Sequence, residues 1–297
     1  MEKTVKCELC PRKCGALREG ERGAGICRAP ELPRIARAAL HFWEEPPISG
    51  TRGSGTIFFT GCPLGCIFCQ NEGVSHGNVG KTVTVQRVKE IGWELIRQGA
   101  HNLNFVTPTH YAHVVEEVLE EPFGVPAVWN SGGYDRVETL RRLEGKIDVY
   151  LPDLKYVTPE RAKRYSGAED YPEIALKALE EMVRQVGMPV FEDGLLKKGV
   201  IVRHLLLPGG VNEAKLVLDA VKERFPRGEV LVSLMSQYVP FGKAKDDNMI
   251  GRKLRKAEIR TAQEYLENLG LEGFSQGEEA AEKEYIPAFD LTGVEKK

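Results

Sequence analysis

Within GCPLGCIFCQN (61–71), three cysteines, Cys62, Cys66 and Cys69, fall inside eight residues, directly after the apolar run TIFFT (56–60). A closed structural zinc site takes four ligands. Three thiolates leave one coordination position open, so the spacing points to a metal centre that binds something besides protein. The other four of the seven cysteines, Cys7, Cys10, Cys14 and Cys27, form a separate group with spacing C-x2-C-x3-C-x12-C. An odd number cannot pair fully into disulfides, and in a reducing compartment tight clusters are metal ligands more often than bridges. Buried free thiols acting as small hydrophobes would be scattered along the chain. The quartet suits a tetrahedral zinc, a single iron or a second [4Fe–4S] cluster. Three bunched cysteines and one set apart lean toward iron–sulfur, since zinc favours two close pairs with a long spacer. The approach GERGAGIC (20–27) lets the backbone turn tightly around a metal.

Elements must place these groups. The apolar runs TIFFT, NLNFV (102–106), PAVWN (126–130), IDVYL (147–151), GVIVRHLLL (199–207) and EVLVSLM (229–235) read as six strands. Amphipathic stretches between them read as helices: one from Thr84 carrying Val88, Ile91, Leu95 and Ile96, then YAHVVEEVLEE, YDRVETLRRL, TPERAKRYSG, YPEIALKALEEMVRQVG and VNEAKLVLDAVKERF. MPVFEDGLLKKGVIV adds a hairpin turning at Glu192-Asp193-Gly194, and a last helix over about 253–269 precedes a loose tail. Strands alternating with helices imply parallel pairing, in a doubly wound sheet or a partial (β/α) barrel. Such folds gather functional residues at the C-terminal strand ends. There the sequence places the cysteine loop, Val106–His110, Asn130–Gly133, Pro152–Tyr156, His204 with Leu207–Gly210, and Ser236–Tyr238. The stretch before residue 50 is Cys-, Arg- and Pro-rich and poorly periodic, ending in EEPPISGTRGSG. The expected organisation is therefore an N-terminal four-cysteine metal module (1–50), an α/β core (51–240) and a C-terminal helix and tail (241–297).

With 297 residues, 42% hydrophobic and 28% charged, the chain can bury a sizeable core. A formal net charge of −2 leaves no basic excess to neutralise phosphates and argues against a nucleic-acid partner. The basic run GRKLRKAEIR (251–260) reads as a solvated helix face. There is no apolar signal segment and no run of about 18 apolar residues for a membrane span, so a cytoplasmic location is expected.

The C-x3-C-x2-C loop, with Phe68 before its third cysteine and a strand before it, resembles the signature of the radical S-adenosylmethionine (radical SAM) superfamily over about Gly53 to Pro240. CELCPRKCG, WEEPPISGTRGSGTIFFTGC, VTPTH, LPDLKY and SLMSQYVP are similar to the pyruvate formate-lyase activating-enzyme-like group. The resemblance implies an α/β fold with a partial TIM-barrel (β/α)6 core. It also implies a [4Fe–4S] cluster on Cys62, Cys66 and Cys69, with SAM chelating the open iron. Reductive cleavage to a 5′-deoxyadenosyl radical and hydrogen abstraction follow, as in an oxidoreductase or activase. It implies an electron donor of flavodoxin or ferredoxin type, and a protein, peptide or small-molecule substrate, with glycyl-radical-enzyme activation one option. For contacts to SAM it implies Phe68 beside the adenine, Thr107, Asn130 and Ser131 as hydrogen-bonding groups, Asp153 and Lys155 near the carboxylate, and His204 reaching the site. The family often carries a GGE stretch after its second strand, and this chain has Val106–His110 there. Its extra cysteines precede the core, unlike the ferredoxin-like insertion of known activases. The alternatives are a zinc site completed by a distant residue such as His76, and a non-catalytic iron–sulfur electron-transfer or scaffold protein.

Overall fold

The computed structural model describes residues 6–20, 23–77, 79–276 and 287–296. Its elements are β1 (Arg34–His41), α1 (Pro46–Ser49), β2 (Ser54–Phe59), α2 (Glu72–Ser75), β3 (Lys81–Thr82), α3 (Val85–Arg97), β4 (Leu103–Val106), α4 (Ala112–Val118), β5 (Ala127–Ser131) and α5 (Val137–Arg142). They continue with β6 (Val149–Pro152), α6 (Pro159–Ser166), α7 (Tyr171–Val186), β7 (Val190–Glu192), β8 (Leu195–Leu205), α8 (Val211–Arg224), β9 (Leu231–Met235), α9 (Lys256–Asn268) and β10 (Gly273–Gln276).

Local chemistry sets several of these boundaries. Thr84 caps α3 by accepting from the Arg87 amide at 3.1 Å, and Val88, Ile91 and Leu95 form its buried face. Pro159 opens α6, and Gly167, left-handed at φ 62°, ends it. The expected hairpin is present: β7 pairs antiparallel with β8, and Asp193 and Gly194 both take the positive φ that a two-residue turn demands.

The sheet runs β10-β9-β8-β6-β5-β4-β2-β1-β3. From β2 to β10 every pair along it is parallel, and β1 is antiparallel to β2. Parallel strands in sequential order, joined by helices on one side, curl into an open partial barrel rather than a doubly wound sheet. The six expected strands are all there. Three more were illegible: β1 lies in the stretch read as aperiodic, β3 has two residues, and β10 falls where a loose tail was expected.

Strand alternation divides the residues between two faces. Phe59, Phe105, Trp129, Tyr150, Val200, Val202 and Val232 join the helix-packed core. Val128, Val149, Leu151, Ile201 and Leu231 form a second apolar layer inside the curl, closed from below by Ile48 of α1. Asn102 anchors that plug by donating to the Ile48 carbonyl at 2.7 Å. Burying Ile48 completely stabilises the plug by about 2–3 kcal/mol. EEPPIS, whose Pro-rich sequence reads as a boundary or a loop leading into the core, is thus the floor of the barrel.

Residues 287–296 also depart from the loose-tail expectation. They pack on β1 and α3, with backbone bonds from Leu291 to Ala36 and from Ala38 to Thr292, and with Arg87 donating to the carbonyls of Gly293, Val294 and Glu295. Residues 277–286 of that expected tail lie outside the described residues. Among the described residues no helix is long and apolar enough to cross a membrane.

Candidate functional site

Above the plug, the curl encloses a cavity of about 950 Å³. Ligand pockets span about 300–1,000 Å³, so this one has room for a cofactor and part of a second molecule. Cys62, Cys66, Phe68 and Cys69 line it, together with Thr107, Asn130, Ser131, Asp153 and Lys155. Of the residues singled out at the strand ends, His204 lies apart. It is buried on the helix-facing side of β8, with Nδ1 2.8 Å from the Leu154 carbonyl oxygen. Burial holds its imidazole neutral by pushing its pKa down. The neighbouring Arg203 lines the cavity instead.

Arg203 organises a charged core on the cavity floor. Its guanidinium donates to Asp153 Oδ1 at 2.9 Å and to Asn130 Oδ1 at 2.7 Å, and lies 3.5 Å from Glu44 Oε2. Asn130 in turn donates to Glu44 Oε1 at 3.1 Å, and Lys155 Nζ donates to Asp153 Oδ2 at 2.5 Å. Burial works to raise the Asp153 pKa, but Arg203 and Lys155 outweigh it and hold the carboxyl below its ordinary range. Burial likewise acts against the Lys155 charge, and Asp153 and Cys66 overcome it, so the ammonium persists. Glu44 goes the other way: burial raises its pKa more than Arg203 lowers it. Glu45 of the plug accepts from Ser233 at 2.9 Å. Sequence reasoning missed Arg203, Glu44 and Glu45. The signal for Arg203 was a charged residue inside an apolar strand, one position from the histidine that drew attention.

Two singled-out residues are constrained by their neighbours. The Ser131 hydroxyl donates to Asp135, which also accepts from Thr109 at 2.6 Å, so it is committed to holding the strand end. Thr107 sits at φ 56°, a conformation in which a β-branched residue is strained by about 1–3 kcal/mol. Its amide donates to the Asn130 carbonyl at 2.8 Å, which helps hold that geometry at the cavity edge. Phe68 is buried, with its ring 6.4 Å from that of Tyr238.

The cysteine loop is clamped between α2 and the end of α6. Gly65 donates to the Ser166 carbonyl at 3.1 Å and Ile67 to that of Tyr165 at 2.9 Å. Each sulfur has a polar neighbour: Leu64 N at 3.4 Å from Cys62, Ser166 Oγ at 3.0 Å from Cys66, and Ser75 Oγ at 3.2 Å from Cys69. Burial, and then their mutual repulsion as anions, pushes the Cys62 and Cys69 thiols up; burial does the same for Cys66. Such thiols become thiolates only when a cation displaces the proton. Among the described residues no three His, Cys, Asp or Glu side chains are already drawn together to grip an ion. Three soft thiolates at the wall of a large cavity nevertheless fit an iron–sulfur cluster with one open iron. His76 is occupied elsewhere, its Nε2 3.1 Å from the Leu64 carbonyl oxygen and its Nδ1 3.2 Å from Ser75.

The quartet lies beside this loop. Gly25 marks its position, because a Cβ there would sit 3.1 Å from Cys14 Sγ and 3.9 Å from Cys27 Sγ. Cys10 is buried, and desolvation pushes its thiol up to about 12. Arg12 ties the segment to the cysteine loop through the Pro63 carbonyl at 2.9 Å, and Arg18 to the His110 carbonyl at 2.6 Å. Gly61 lets the two regions touch: at φ 97°, a Cβ would lie 2.5 Å from the Cys27 carbonyl oxygen.

Comparison with known proteins identifies the family of the chain. Residues 56–216 match the family described as the Radical SAM superfamily. The chain is 31% identical over 276 residues to an uncharacterized protein of Methanocaldococcus jannaschii, covering 90% of this chain and 75% of that one. Among solved structures it is similar to SuiB of Streptococcus suis bound to the precursor peptide SuiA, with TM-score 0.51 and 14% identity over 73% of this chain and 47% of that chain. It is also similar to methylornithine synthase, with TM-score 0.50 and 15% identity over 77% of this chain and 73% of that chain. The chain thus spans just under half the length of SuiB, and at these identities the likeness concerns the fold alone.

Proposed function

Because the chain belongs to the radical SAM superfamily, we propose that it is an enzyme in which Cys62, Cys66 and Cys69 hold a [4Fe–4S] cluster facing SAM in the barrel cavity. One observation carries this reading: a single cavity gathers the three cysteines with Asn130, Asp153, Lys155 and Arg203. A cluster held by Cys62, Cys66 and Cys69 would supply, once reduced by one electron from a flavodoxin- or ferredoxin-type donor, the reductive cleavage of SAM to methionine and a 5′-deoxyadenosyl radical able to take a hydrogen atom from the substrate. The chain's own groups bind and orient. Lys155, held protonated, offers a charge-assisted contact to the methionyl carboxylate, and Phe68 and Thr107 border the nucleoside. Asn130 is set by Arg203 and Glu44. His204, turned to the Leu154 carbonyl on the other face of β8, is given no SAM contact in this reading.

A protein glycine, another peptide or a small molecule is the substrate, and the likeness of its motifs to the activating-enzyme-like group supports the first. The N-terminal quartet forms a second metal site, with iron–sulfur ahead of single iron or zinc on its spacing. The proposed organisation is a four-cysteine segment at the start of residues 1–50, a barrel core over 51–240 to which β1 and α1 of the first stretch and β10 of the last are added, and a C-terminal extension over the rest of 241–297. A non-catalytic electron carrier gives the cavity and its charged floor nothing to do.

Anaerobic reconstitution with SAM and a reductant tests the enzyme reading through release of 5′-deoxyadenosine. Release that Cys66→Ala abolishes supports it. A cluster-loaded protein that forms none overturns it.

A further inference from the structure

The three cysteine sulfurs are not equivalent. A thiolate that ligates a metal carries no proton, so any hydrogen bond at its sulfur must be donated to it. At Cys66 the donor is unambiguous. Ser166 Oγ lies 3.0 Å away, and among the described residues the only other partner of that hydroxyl is Tyr156 Oη at 3.2 Å. With its hydrogen committed to sulfur, Ser166 accepts from Tyr156, giving a directed chain from Tyr156 through Ser166 to Cys66. All three residues are buried.

Ser75, beside Cys69, is contested. Its single hydrogen faces Cys69 Sγ at 3.2 Å, the Asn71 carbonyl oxygen at 3.0 Å and His76 Nδ1 at 3.2 Å. His76 Nε2 points at the Leu64 carbonyl, which only accepts. Nε2 is thus the donor to that carbonyl, and Nδ1 is the ring nitrogen turned to the Ser75 hydroxyl. Among the described residues, Cys62 receives only the long contact from Leu64 N.

We infer that Ser166, braced by Tyr156, is a positioning residue that raises the reduction potential of the centre held by Cys66. This rests on the radical SAM reading. Reduction adds negative charge to the sulfurs, and a buried donor stabilises that more negative state. The Ser166 carbonyl holds Gly65 through the backbone, so removing the hydroxyl leaves the loop anchored.

The test is the midpoint potential of the anaerobically reconstituted full chain, followed by electron paramagnetic resonance during stepwise reduction with iron counted in parallel. The signal perturbed by SAM identifies the cluster of Cys62, Cys66 and Cys69. Ser166→Ala shifts the potential to a more negative value, Tyr156→Phe shifts it less in the same direction, Ser75→Ala shifts it least, and Ser166→Thr restores it. An unmoved or raised potential in Ser166→Ala at full iron content overturns the inference, as does a larger shift in Ser75→Ala. If Ser166→Ala does not load, Tyr156→Phe decides, because it keeps the buried ring. Parent protein that takes up no reducible cluster overturns the radical SAM reading together with this inference. A reducible cluster with an unmoved potential overturns this inference alone.

Discussion

The two cysteine groups meet at Gly61 yet are built differently. Cys62, Cys66 and Cys69 sit on a loop clamped by α2 and α6, each sulfur has a polar neighbour, and a cavity opens beside them. The quartet lies in residues 6–33, which among the described residues hold no helix or strand. Cys14 is exposed and Cys7 and Cys27 are half-buried, positioned by turns such as Gly15 N to Cys7 O at 3.1 Å. One site is shaped by a barrel that exists for other reasons; the other segment has little core of its own. On the proposed reading, a metal at the first site would add reactivity to a finished scaffold, whereas one at the second would supply order.

The largest effect should come from breaking each site separately. Metal analysis of Cys10→Ala should show loss of the N-terminal metal, with rapid proteolysis of the first thirty or so residues, while the barrel site still loads. Cys66→Ala should show the reverse. Loss of both metals in either variant would mean that the regions are not independent.

Arg203→Met should come next, because it strands the buried carboxylates of Asp153 and Glu44. Breaking a buried pair costs about 3–5 kcal/mol, readable by denaturant unfolding. SAM affinity should fall at least about tenfold, the equivalent of about 1.4 kcal/mol. His204→Gln should leave that affinity unchanged; an equal loss in both variants would erase the distinction between the two faces of β8.

The seam between the regions should respond to pH. His110 is buried against the Thr60 carbonyl at 2.8 Å, and burial depresses its pKa to about 3. Between that value and the unfolded value of about 6.5, the unfolded chain binds the extra proton. Stability is therefore full above about 6.5 and falls as the pH drops through this window. His110→Gln, which keeps a donor to Thr60 without titrating, should flatten that slope in acid-unfolding curves. An unchanged slope would assign it to other groups.

The smallest effect belongs to the tether. Arg12→Ala removes the bonds to the Pro63 and Gly167 carbonyls and should cost about 1 kcal/mol per bond. Hydrogen exchange should rise in residues 6–20 but not in the barrel. Protection lost equally in both would merge the two regions into one unit.

The cysteine spacing, the six core strands, the helices between them and the hairpin at Asp193-Gly194 were legible because each is a local signal, carried by residues a few positions apart. The strand β1 was not, since its pairing with β2 is a long-range contact that RIARAALH does not announce. Nor was the plug, whose Pro-Pro run reads as a boundary until the second apolar layer closes around Ile48.

Taken by itself, the sequence determined that seven thiols divide into three and four, and that a parallel sheet would bring its strand ends to one rim. Which residues at that rim look inward was decided by the tertiary structure. Alternation guarantees that Arg203 and His204 face opposite ways, but only the direction in which the sheet curls makes one face a cavity and the other a helix-packed core. Glu44, Asn130, Asp153 and Arg203 come from four separate stretches of the chain, and a charged network of that kind exists only once the barrel has closed around it.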